Sequence, residues 1–170
     1  PYGPPGDLEK AIARNAVPFV PEGATIETGL GALPDAVLGM LGDRKRLAIH
    51  SGSLGDGAVA LMERGIVLQA NCGTLMGTRR LFEHARDNPA VRLRSTEFTH
   101  NPRILATIER MVAINSAVEV DFTGQVNAEQ SGAAYLGGTG GQVDFVRAGA
   151  RSPGGAALMV LSSTAKGGSI

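Results

Sequence analysis

The strongest constraint on the fold is a recurring order of segments: a short apolar run, a glycine-containing turn, then an amphipathic stretch. Gly23-Ala24-Thr25-Ile26-Glu27-Thr28 reads as a strand. Gly29-Leu30-Gly31 turns the chain, and Pro34 suits the first turn of a helix that carries Val37, Leu38 and Leu41 and closes at Gly42. The order then repeats. Arg46–His50 is a strand, Ser51–Gly55 a loop, and Asp56 starts a helix through Arg64. Such alternation implies an α/β fold in three layers, with a mostly parallel sheet between two helical layers.

The remaining segments extend this pattern. Asp7 is expected to cap a first helix ending near Ala16, bounded by Pro18 and Pro21. Ile66–Leu75 is mixed and extended in part. A helix is expected from Thr78 through Arg86, a strand over Val91–Ser95, and a helix from Pro102 to Arg110. Met111–Asn127 alternates apolar and polar residues, with a turn at Thr123-Gly124, and reads as a strand followed by a hairpin. A short helix around Asp144–Ala148 and a buried strand over Ala156–Leu161 complete the reading. Ligands of such sheets bind at the carboxyl ends of strands. The loops after Thr28, after His50, near Thr96-Glu97 and after Tyr135 are candidates for that edge.

One of these loops, Leu136-Gly137-Gly138-Thr139-Gly140-Gly141, surrounds one threonine with four glycines. Glycine lets a ligand approach the bare backbone, and successive free N–H groups form an anion cradle. The spacing matches neither the dinucleotide fingerprint nor the phosphate loop of nucleotide hydrolases, so a surface turn is the competing reading. Composition narrows the choice of partners. Net charge is zero, which points away from nucleic acid and from acidic membrane surfaces. Cys72 is the single cysteine, so no internal disulfide forms; a buried structural thiol in a reducing, cytoplasmic setting is expected. No apolar run reaches membrane-span length, and no signal-peptide pattern opens the chain. His50, His84 and His100 lack metal-ligand spacing, so no metal is expected. Residues 1–6 read as a linker and 7–170 as one domain, expected to be cut short at its C-terminal end.

Five segments together resemble one family: TIETGLGALPDAV over Thr25–Val37, LAIHSGSLGDG over Leu47–Gly57, MVAINSAVEVDFTGQVN over Met111–Asn127, GGTGGQVDF over Gly137–Phe145, and LSSTAK over Leu161–Lys166. Their order and content are similar to the C-terminal domain of the acetyl-CoA hydrolase/transferase family, which includes 4-hydroxybutyrate and succinyl-CoA:acetate CoA-transferases. The resemblance implies a fold of the CoA-transferase type and another such domain ahead of this one. It also implies acyl-CoA and a small carboxylate as substrates, and a homo-oligomer when full length. In that family a glutamate attacks the thioester, forms an acyl anhydride and then a glutamyl-CoA thioester, and passes CoA to a second carboxylate. The resemblance places the glycine loop, Gly137, Gly138, Gly140 and Gly141, against CoA and its oxyanion. Gln142 and Asp144 fix that loop or meet substrate, with Asp144 also reading as a helix cap. Gly29, Gly31 and His50 are candidates for the cleft wall, the glycines also reading as tight strand-to-helix packing and His50 as a hydrogen-bonded strand-end histidine.

The chain departs from the family at one position. The family glutamate lies in a His-Thr-Glu-like segment shortly before Asp-Gly. Aligning His50 and Asp56-Gly57 puts Gly52 where that glutamate is expected, and glycine forms neither anhydride nor thioester. Three explanations stand. Water hydrolyses acyl-CoA in the space left by the side chain; another carboxylate, Asp56 or Glu97, acts; or the domain is a non-catalytic CoA-binding subunit. Asp56 also reads as a helix cap and Glu97 as a solvated loop residue. Asn115 and Glu119 sit within an apolar strand pattern, where buried polar groups need partners. Ser162, Ser163 and Thr164 follow a strand and are candidates to face the cleft.

Overall fold

The computed structural model describes residues 3, 5–136 and 138–164. A six-stranded parallel sheet forms the centre: β1 (Thr25–Thr28), β2 (Leu47–Leu54), β3 (Val67–Leu75), β4 (Val91–Leu93), β5 (Met111–Asn115) and β10 (Ala156–Met159), in the spatial order β10-β5-β1-β2-β3-β4. The chain lays down β1 to β4 outward in one direction. It then returns to the far side of β1 for β5 and β10. The order therefore reverses between β1 and β5. In open α/β sheets the crevice at such a reversal is where ligands sit.

Helices cover both faces. Helices α1 (Asp7–Ala16), α2 (Ala32–Gly39), α3 (Gly57–Glu63) and α4 (Arg79–Ala85) bury Ala13, Val37, Val59 and Leu81 in one large apolar cluster with Ile26, Ile49 and Ile114 of the sheet. On the other face lie α5 (Thr96–Thr99), α6 (Pro102–Leu105) and α7 (Gln142–Arg151). Leu105 and Phe145 pack there on Met111 and Ala113. β5 thus sends alternate residues to opposite layers, as period two requires, and all five of its residues are buried. Two short exposed hairpins, β6 (Glu119–Val120) with β7 (Val126–Asn127) and β8 (Gln130–Ser131) with β9 (Ala134–Tyr135), join β5 to α7.

Several boundaries differ from expectation. Ser51-Gly52-Ser53 is strand rather than loop, because β3 supplies pairing partners: Ser51 opposite Cys72, Ser53 opposite Thr74. Tertiary pairing overrides the loop signal of serine and glycine. Ile66–Leu75 is strand almost throughout for the same reason. The helix from Pro102 ends at Leu105, not Arg110. Arg110 adopts a positive φ of 49°, which no α-helix accepts. Its N–H donates to Pro153 and its carbonyl accepts from Thr25. Thr96–Thr99 is helical where a loop was expected, and α7 is longer than expected. α2 stops at Gly39 rather than at Gly42. The first helix is preceded by Gly6, whose N–H donates to the Glu9 carboxylate at 2.9 Å; Asp7 is its first residue and not its cap. Gly137 and residues 165–166 of the LSSTAK segment lie outside the described residues.

Candidate active site

At the reversal point, β1 contributes Glu27 and β5 contributes Asn115. Glu27 is 4% exposed, and its side chain lies on the α7 face of the sheet, in register with Ala113. The Asn115 amide nitrogen donates to its carboxyl group at 2.7 Å. Gly29 leaves room beside this bond, since a Cβ there would come within 3.2 Å of the Asn115 side-chain oxygen. Burial pushes the Glu27 carboxyl up to about 8, while hydrogen bonds from Asn115 and the backbone of Ile114 pull in the opposite direction. At neutral pH the group therefore mostly holds its proton.

Above Glu27 opens a cleft lined by Ser51, His100, Asn115, Gly140 and Gly141 together with Glu27 itself. Gly29 and Gln142 complete its rim. The glycine loop enters α7 here, with Gly141 capping the helix, so the positive end of a ten-residue helix faces the cleft. Gly140 has open space where a side chain would begin, whereas a Cβ on Gly141 would collide with the His100 ring. That ring also packs on Phe145, centroids 4.8 Å apart, and its Nδ1 is 2.9 Å from the Thr99 hydroxyl. The edge carrying Nε2 lies 3.2 Å from the Cβ position of Gly52. A side chain at position 52 would thus begin in contact with the imidazole edge.

The expected site residues divide into those that meet here and those that do not. Gly29, Gly140, Gly141 and Gln142 line the cleft, and Gly52 backs onto it through His100. Gly138 is open, with nothing near its Cβ position. His50 is 4% exposed; its Nε2–H donates to the Thr99 carbonyl at 2.9 Å, and its ring stacks on Phe98 at 5.7 Å. Burial lowers its pKa, opposed by the Thr99 bond and reinforced by His100. It is a buried donor beneath the wall rather than a residue of the wall. Asp144 lies instead in a groove between α6 and α7 with Leu105, Arg147 and Arg151.

Asp56 sits in a separate depression with Gly31, Asp35 and Thr78. Both its oxygens are engaged at 2.8 Å, one by the Thr78 N–H and one by the Thr78 hydroxyl. It makes no capping bond to α3, so its side chain fastens the start of α4 instead. Asp35 beside it has a raised pKa, from burial and from the charge of Asp56. Glu97 is exposed in the first turn of α5. Ser163 borders a groove along α1, and the Ser162 hydroxyl donates to Thr164. Glu119 is exposed and accepts from Asn127. Cys72 is fully buried, and burial pushes its thiol up to about 11. Among the described residues, no three His, Cys, Asp or Glu side chains gather as a metal site, and no helix is long and apolar enough to cross a membrane.

Sequence reasoning missed Glu27 and His100. The signal for Glu27 was present: a carboxyl between Ile26 and Thr28, inside a strand of a sheet buried on both faces. His100 had none, since its place depends on a turn of helix that the sequence did not declare.

Residues 77–170 match the sequence profile of the acetyl-CoA hydrolase/transferase C-terminal domain. The 4-hydroxybutyrate coenzyme A transferase of Clostridium kluyveri is 39% identical, over 97% of this chain and 41% of that protein. The crystal structure of RipA from Yersinia pestis superimposes with a TM-score of 0.92 at 33% identity, covering 99% of this chain and 40% of that one. A 4-hydroxybutyrate CoA-transferase from Porphyromonas gingivalis gives 0.85 at 32% identity, covering 97% and 41%. The chain spans about two fifths of the length of these relatives.

Proposed function

This chain belongs to the acetyl-CoA hydrolase/transferase family, and from that premise we propose that it forms the half of an acyl-CoA cleft that binds the thioester and supports CoA transfer to a small carboxylate. The observation that carries the reading is the coincidence of three features at one point. The sheet order reverses between β1 and β5, a glycine loop runs into the N-terminus of α7, and a buried carboxyl lies beneath both. Main-chain N–H groups of Gly140 and Gly141 are suited to the thioester oxyanion, because they need no side-chain reorganisation as charge develops. In the full-length protein, a preceding domain closes the cleft from the other side and copies of the chain associate. The domain extends over 7–170, the reaction uses no metal, and the reducing cytoplasm suits the free thiol of Cys72.

One observation favours a second reading. Gly52 stands where the family glutamate is expected, which fits thioester hydrolysis or CoA binding without turnover.

The test is CoA binding by the full-length protein with Gly140→Leu. A Cβ there has no protein atom within 4 Å, so the side chain starts in open space within the cleft. Affinity for acyl-CoA is expected to fall about tenfold or more, measured by calorimetry; unchanged affinity removes the loop from the site. The matching change at Gly141 is uninformative, since it displaces His100.

A further inference from the structure

We propose that Glu27 is the carboxylate that attacks the acyl-CoA thioester in this protein, replacing from the neighbouring strand the side chain that position 52 lacks. The inference rests on the acyl-CoA reading of the cleft and goes beyond it by naming the reacting group.

The geometry supplies the argument. β1 and β2 pair with Thr25 opposite Ala48 and Ile26 opposite Ile49, so Glu27 continues opposite His50. Gly52 is two residues further along β2, on the same face. Strand spacing and rise put the two Cα atoms roughly 8 Å apart. Side chains from both positions therefore reach the same volume under the glycine loop. A carboxyl at 27 borders the cleft; a Cβ at 52 would meet the edge of the His100 ring. The two alternatives raised by the sequence are placed elsewhere: Asp56 is bound to Thr78 in a different depression, and Glu97 is exposed on α5. Glu27 is the one carboxyl, among the described residues, that lines this cleft.

The steps balance without a further reagent. One Glu27 oxygen bonds to the thioester carbonyl carbon, the C–S bond breaks, and its electron pair leaves on sulfur as the CoA thiolate. The product is an acyl-glutamyl anhydride. The thiolate then attacks the glutamyl carbonyl, the C–O bond to the acyl group breaks, and that acyl group departs as its carboxylate. Glu27 is left holding CoA as a thioester, and an incoming carboxylate reverses both steps. Asn115 is a positioning residue, fixing one carboxyl oxygen at 2.7 Å so that the other is aimed. Because attack needs the ionised form and burial holds the group at about 8, kcat/KM rises about tenfold per pH unit and levels off near that pH.

The experiment uses the full-length protein incubated with acyl-CoA, then treated with borohydride or hydroxylamine and digested for peptide mass. The modification is expected on Glu27. Glu27→Gln, which keeps the size and an acceptor for Asn115, is expected to bind CoA within about twofold of wild type. It should lose turnover by roughly three orders of magnitude, and lose the adduct with it. Adding Gly52→Glu to that variant is expected to restore an adduct, now at position 52. An adduct on any other carboxylate of the wild type, turnover without an adduct, or turnover that survives Glu27→Gln overturns the assignment while leaving the acyl-CoA reading intact. A wild type that neither binds nor turns over any acyl-CoA overturns both.

Discussion

Ile26 and Glu27 are neighbours on one strand, and they face opposite layers. Ile26 enters a continuous apolar cluster built from four helices and most of the sheet. Glu27 enters a layer where the buried cluster among the described residues is small, Leu105, Met111, Ala113 and Phe145 with Ile108 and Ala148 packed against it, and where glycines stand at 29, 52, 140 and 141. The first face is filled with apolar side chains, and the second sets glycines and polar or aromatic side chains around one carboxyl. The contrast teaches where each cost falls. The apolar face supplies the stability that lets the other bury a titratable group, which burial alone disfavours in its charged form.

The sharpest way to break the comparison is to exchange the roles of the two neighbours. Ile26→Ala is expected to lower unfolding stability by about 3 kcal/mol, read from urea midpoints, because the side chain is fully buried and the cavity cannot collapse between strand and helices. It should leave the pH optimum of any turnover unchanged. Ile26→Ala costing nothing would mean that the two faces are not specialised.

An effect of comparable size comes from Glu27 itself. Its folded value of about 8 lies above its ordinary 4.5, so the folded chain keeps a proton that the unfolded chain has lost across this window. Stability from this group is full below pH 4.5 and declines as pH rises through 8, by on the order of a few kcal/mol. Glu27→Gln removes that slope. The difference in unfolding free energy between variant and wild type should therefore grow from pH 5 to pH 8 and then level; a pH-independent difference contradicts the buried carboxyl.

Smallest is Asp56→Ala, which removes two hydrogen bonds to Thr78 away from the cleft. It is expected to cost about 1–2 kcal/mol of stability and to leave acyl-CoA turnover at the wild-type rate. A collapse of turnover with stability intact would return Asp56 to the candidate nucleophiles.

Much of the fold was legible because strand and helix periods alternate so regularly. Val37 and Leu38 mark the helix after β1, and the alternation over Met111–Asn127 marks a strand followed by a hairpin; the structure has α2, the buried strand Met111–Asn115 and the hairpin β6–β7 there. The second half of β2 was not legible. Ser51-Gly52-Ser53 carries loop chemistry, and only the partner strand β3 makes it extended. The site was half legible. The glycine loop and Gly29 declare close backbone approach, and Asn115 declared the need of a buried partner. That the partner is Glu27, 88 residues earlier, depends on the sheet order, which no local pattern encodes. His100 depends in the same way on a helical turn held by long-range packing.

That separation of 88 residues also has a consequence for the newly made chain. Strands β1 to β4 leave the ribosome before β5, so β1 is for a time the edge of an incomplete sheet, open to any other extended segment. Glu27 is then hydrated and ionised, and a charge pointing inward on an open edge repels foreign strands. When β5 docks, the carboxyl is buried, takes up its proton and meets Asn115. Docking of β5 therefore covers that edge and buries the carboxyl against Asn115 in one step.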